Sequence, residues 1–91
     1  MLNPTKNNLK KVEALLGELG YKVRYEKGNF QSGYAVLEAI RVAVVSKFYD
    51  TEARFNCLTE ILDQYEWTGE EELSEAGEKT RRAIEKAATK N

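Results

Sequence analysis

The side chains of this protein that could do acid–base or metal chemistry are concentrated in one run. From Glu60 to Glu78 the acids Glu60, Asp63, Glu66, Glu70, Glu71, Glu72, Glu75 and Glu78 follow one another with no Lys or Arg between them. Glu60 and Asp63 are three apart and share a helix face, so with Glu66 or Glu70 they offer the hard oxygen ligands that magnesium or calcium prefers. No calcium-loop spacing accompanies them and exposed acids are ordinarily solvated, so no metal is expected. Histidine, the commonest neutral-pH base and metal ligand, is absent from the sequence. That leaves Ser32, Ser46 and Ser74 without an activating base. Cys57 lies among apolar neighbours with no flanking base to lower its pKa, and reads as an inert core thiol. "GNFQSG" has two glycines but neither the P-loop lysine nor a following helix, so it reads as a hairpin turn rather than a phosphate cradle. The expectation is a protein that is not an enzyme, with no catalytic, cofactor-binding or metal residue.

The elements that must carry these residues follow from periodicity. Leu9, Val12, Leu16 and Leu19 recur at helical steps, with Leu15 widening the stripe, which predicts a helix from about Thr5 to Leu19. Gly20 stands where a left-handed cap is usual, and Gly17, costly inside a helix, is expected to let another element approach closely. The period then becomes two: "YKVRYEK" places Tyr21, Val23 and Tyr25 opposite Lys22, Arg24 and Glu26. Gly28 and Asn29 supply a turn, and "FQSGYAVL" and "IRVAVVS" read as two more strands joined by a short hairpin, with Gly33 a bulge or a point of close contact. Asp50 or Thr51 caps the strongest helix, whose stripe is Phe55, Leu58, Leu62 and Tyr65. A last helix opens from a capping box, Thr68 with Glu71, and carries a thin stripe including Leu73, Ala76, Thr80 and Ile84.

Length and charge set the remaining bounds. The 91 residues suit one domain, and the net charge of −1 gives no bulk attraction to phosphate. Residues 1–50 hold eight bases and five acids, the rest six and ten, so any phosphate contact belongs to the first half. The single cysteine cannot form an internal disulfide, and "MLNPTKNNLKK" lacks the apolar core of a secretory signal, so the cytoplasm is the expected compartment. The longest apolar run, Val42 to Val45, is far too short to span a membrane.

Three resemblances attach to these segments. "RFNCLTEILD", Arg54 to Asp63, resembles the metal-site helix of ImmA/IrrE-type zinc metallopeptidases; Thr59 and Asp63 stand at that family's two histidine positions and Glu60 at its general base. The resemblance implies a relative without ligands, hence without peptidase activity, that binds peptide in a groove beside this helix. Helix, three antiparallel strands, helix is similar to the order of a double-stranded-RNA-binding domain, but Asp50, Thr51 and Glu52 stand where that family places cations. "YKVRYEKGNFQSGYAV" with "SKFYDTEARFNCLTEIL" resembles small bacterial proteins with no established common activity, which implies a cytoplasmic bacterial domain and nothing chemical.

The resulting expectation is an α+β domain, αβββα, with a three-stranded antiparallel meander and two helices on one face. Residues 1–66 would form this unit and 67–91 a charged helical extension packed on or beside it. Because "VAVV" is apolar on both strand faces, the sheet's second face wants cover, either from the last helix or from another copy of the chain. The expected function is a module for protein–protein interaction or self-association, a homodimer being its simplest form, with Trp67, Leu73, Ile84, Ala43 and Val45 as interface. The alternative partner is single-stranded nucleic acid on a basic aromatic hairpin, residues 21–34, through Lys22, Arg24, Lys27, Phe30 and Tyr34.

Overall fold

The computed structural model describes residues 2–27 and 33–88. The first helix, α1 (Lys6–Glu18), is capped by Thr5, whose hydroxyl accepts the Asn8 N–H at 3.1 Å. It ends where Gly20, at φ 87°, turns the chain so that Tyr21 N–H reaches the Leu16 carbonyl at 2.9 Å and Gly20 N–H the Gly17 carbonyl at 3.0 Å. That bend delivers Tyr21 into the core and starts β1 (Lys22–Glu26). The strands β2 (Tyr34–Leu37) and β3 (Val42–Ser46) are joined by a tight 3₁₀ turn, Glu38–Ile40, closed by Arg41 at φ 50°. Asp50 caps α2 (Thr51–Gln64) by accepting Ala53 N–H at 2.9 Å, and α3 (Glu75–Ala88) is the last described element.

The class is α+β, but the sheet is not a meander. Its order is β1–β3–β2, with β1 parallel to β3 and β2 antiparallel to it. The strand with apolar side chains on both faces therefore takes the centre. The strand bearing Lys22, Arg24 and Glu26 takes an edge, where charge discourages further pairing. Period-two patterning specifies a strand's faces and says nothing about its neighbours, which is why the sequence suggested sequential pairing. A parallel pair needs a long crossover between its strands, and β2 falls within that stretch of the chain.

The inner face of the sheet meets α1 and α2. Val12, Leu15 and Leu16 of α1, Leu58 of α2, and Ala43 and Val45 of β3 are at most 1% exposed. Val23, Tyr25, Tyr34 and Val36 pack around them from the two edge strands. The third helix packs against α1 rather than across the sheet.

The close approach expected at Gly17 occurs instead at Gly77. An added Cβ at Gly17 would meet nothing within 4 Å, whereas at Gly77 it would lie 2.7 Å from a Glu18 carboxylate oxygen. Gly77 is the residue that permits close approach. The Glu18 carboxylate accepts Ser74 N–H at 2.6 Å and the Ser74 hydroxyl at 2.8 Å, and Ser74 in turn caps α3 by accepting Gly77 N–H at 3.1 Å. The Thr68–Glu71 pair forms, Glu71 accepting the N–H groups of Thr68 at 2.9 Å and Gly69 at 3.0 Å. It closes a turn instead of opening the helix, because Gly69 at φ 85° cannot belong to a right-handed helix. The Thr68 backbone N–H is the main reason Glu71 titrates at about 2.

Candidate functional site

Ala43 and Val45, expected at an interface, are 0% exposed beneath the helices and are core. Alternation then puts Val42 and Val44 on the opposite, outer face. The register completes that face as successive rungs: Lys22, Val42 and Leu37; Arg24, Val44 and Ala35; Glu26, Ser46 and Gly33 at the far end. No described element lies over it. Leu37 is 47% exposed, and Ile40 in the adjoining turn is 66% exposed; past the other end of β3, Phe48 is 68% exposed. Arg24 and Glu26 pair at 2.7 Å beside the apolar strip.

The other expected interface residues serve the fold. The Trp67 ring meets Tyr65 edge-on at 4.8 Å between centroids and carries the Arg81 guanidinium at 4.0 Å from its centre. With Leu73 and Ile84, both half-buried against the core, it holds α3 to the body. Along α3, Arg81 pairs with Glu85 one turn away at 3.0 Å.

The residues proposed for nucleic acid are not brought together. β1 and β2 lie on opposite edges of the sheet, so residues 21–34 form no hairpin. Lys22 and Arg24 face outward, while Tyr34 faces α2, where Gln64 donates to its hydroxyl. Lys27 is exposed beyond the end of β1, and Phe30 and the Gly28–Asn29 turn lie outside the described residues. Tyr25 also points inward. It donates to Glu13 and lies 4.2 Å beneath the Arg54 guanidinium, itself fixed by the carbonyls of Tyr49 at 2.9 Å and Lys47 at 2.8 Å. Burial first, and the Glu13 hydrogen bond second, push the Tyr25 phenol well above its usual range. Burial likewise raises the Cys57 thiol, which keeps it protonated and unreactive.

Sequence reasoning missed a groove of about 520 Å³ between the C-terminal end of α2 and the end of the sheet where β2 turns into β3. Its apolar floor is Val36 and Ile61; its polar wall includes Glu38, Arg41 and Glu66. Tyr21 donates to both Glu38 oxygens, at 2.8 and 2.9 Å. Arg41 donates to the Leu19 carbonyl at 3.0 Å and sits 5.7 Å from the Tyr21 ring centre. Tyr65 lies edge-on to Tyr21 at 6.3 Å. The available signal was the Glu38–Arg41 link itself, which joins two strands without the turn residues such links favour and carries a charge at each end.

Scans of family models, curated proteins and solved structures match this chain to none of them.

Proposed function

We propose that this protein is a non-enzymatic module that binds polypeptide, and that its first partner is a second copy of itself seated on the outer face of the sheet. The observation that carries this reading is a central strand whose outer face no described element covers: Val42 and Val44, half-buried between their strand neighbours, face away from the helices, because α3 packs on α1. Leu37 and Ile40 extend the strip toward one end. A contiguous exposed apolar patch on a small domain marks an interaction surface more often than a catalytic one. Sheet-on-sheet packing across a two-fold axis would set each copy's valines against the other's, with Lys22, Arg24 and Glu26 at the rim.

Light scattering on the gel-filtered full chain tests this reading. The expected result is a dimer that Val44→Lys converts to a monomer without loss of helical signal. A strict monomer at high concentration in the unaltered chain removes the proposal.

A further inference from the structure

We infer that the groove between the end of α2 and the β2–β3 turn receives an arginine side chain from an extended partner polypeptide. The groove's charge is unbalanced. Among the described residues the Glu38 carboxylate is met only by the Tyr21 phenol, and Glu66 has no partner. The last turn of α2 contains no basic residue, so the negative end of that helix adds to the two carboxylates. One cation is present in the wall, Arg41, and its guanidinium is engaged with the Leu19 carbonyl and the Tyr21 ring.

A guanidinium fits what is left. Its planar fork matches a carboxylate, its weak hydration suits a partly apolar cleft, and Tyr65 supplies an aromatic wall. The volume of about 520 Å³ exceeds what one side chain fills, leaving room for the backbone that carries it.

The outer edge of β2, which pairs with no other strand among the described residues, supplies the reason for a polypeptide. Ser46 N–H binds the Gly33 carbonyl at 3.0 Å, while Lys22 N–H binds the Arg41 carbonyl at 2.9 Å. Even-numbered residues of β3 therefore turn their backbone groups to β2, and odd-numbered ones turn theirs to β1. On β2 this aims residues 33, 35 and 37 at β3 and turns the Val36 N–H and carbonyl to the outer edge. Val36 also lines the groove. A strand pairing there would run past the carboxylates and could lay a side chain between them.

This inference does not depend on self-association, since the groove lies at the sheet's end and not on its outer face. The test is amide chemical-shift titration of the labelled full chain with three probes: the blocked peptide acetyl-Thr-Arg-Thr-amide, its citrulline analogue, and free L-arginine. Saturable shifts at Val36, Glu38, Ile61 and Gln64 are expected with the arginine peptide. The citrulline peptide should bind about fivefold more weakly, the order that one exposed ion pair supplies. Glu66→Gln should weaken the arginine peptide by the same factor at unchanged melting temperature, because that carboxylate has no role in the fold. Absence of saturable shifts at the groove, equal binding of the citrulline peptide, or indifference to Glu66→Gln would each overturn the inference. Tighter binding of free arginine than of the blocked peptide would overturn it in favour of a small-molecule site.

Discussion

The two faces of β3 are nearly identical in sequence and opposite in fate. Ala43 and Val45 are completely buried, whereas Val42 and Val44, at least as apolar, are only partly covered. The difference arises from the elements available to cover each side. Two helices with apolar stripes, α1 and α2, fill the inner face; α3, with its thinner stripe, is fastened to α1 through Glu18 and Ser74, and no described element covers the outer face. Hydrophobicity of a strand thus reports a demand for burial, and the supply is decided elsewhere in the chain.

Placing the same charge on each face gives the largest expected contrast. Val45→Lys puts an unpaired ammonium into a fully buried site and should cost about 3–5 kcal/mol, enough to unfold much of the population of a domain this small. Val44→Lys, one residue away, should change stability by less than about 1 kcal/mol while abolishing dimerisation. Urea unfolding followed by circular dichroism measures the first effect, and sedimentation velocity the second. Similar destabilisation by both variants at a concentration where the protein is monomeric would mean that the outer face is covered within one chain.

A smaller contrast lies at the end of β2. Gly33 has φ 85°, and a Cβ there would clash with the Tyr49 hydroxyl and the ring edge that carries it. Gly33→Ala should therefore cost about 1–3 kcal/mol, combining backbone strain with a displaced aromatic. Gly17→Ala, at a helical position open to solvent, should instead stabilise the chain by up to about 1 kcal/mol. Thermal melts of the two variants should move in opposite directions.

These two glycines also show what can be read from the sequence. The first two helices, the cap at Asp50 and the left-handed Gly20 follow from local chemistry and are observed, whereas the third helix starts only at Glu75, beyond the Thr68–Glu71 pair expected to open it. Close approach is a tertiary property, so the residue pattern could not distinguish Gly17 from Gly77. Pairing order fails for the same reason. Each strand's alternation is local, while the insertion of β3 between β1 and β2 depends on which strand most needs neighbours on both sides. The groove was hidden because Tyr21, Glu38, Arg41 and Tyr65 come from four separate segments, and only the Glu38–Arg41 link had a local peculiarity.

The inner face should also respond to alkali in a way the outer face does not. Burial is the leading cause that raises the phenols of Tyr25 and Tyr34, both on the inner face, above the ordinary value of 10.0. A raised folded-state pKa binds the proton more tightly than the unfolded chain does. The associated stability is therefore full below pH 10 and is lost as pH climbs from there through the folded value. Unfolding midpoints should hold between pH 7 and about 9.5 and fall beyond. Tyr25→Phe should cost about 1 kcal/mol at neutral pH, through its hydrogen bond to Glu13, and should flatten the alkaline decline. An unchanged decline in that variant would assign the alkaline sensitivity to the remaining tyrosines.

The smallest expected effect belongs to the outer face, and it separates folding from association. Arg24 and Glu26 pair at 2.7 Å with side chains 55% and 44% exposed, so solvent screening leaves the pair worth less than about 1 kcal/mol to the fold. Glu26→Lys should barely move the melting temperature of the monomer. In a dimer built on this face the same substitution leaves each copy's rim with cations at 22, 24 and 26 beside the apolar rungs, and no carboxylate to offset them. Two like-charged rims then meet across the two-fold axis, and the dimer should weaken at low salt and recover as salt is raised. Sedimentation equilibrium of the variant across ionic strength reads this directly. A dissociation constant indifferent to both the substitution and salt would place the contact between copies somewhere other than the outer face of the sheet.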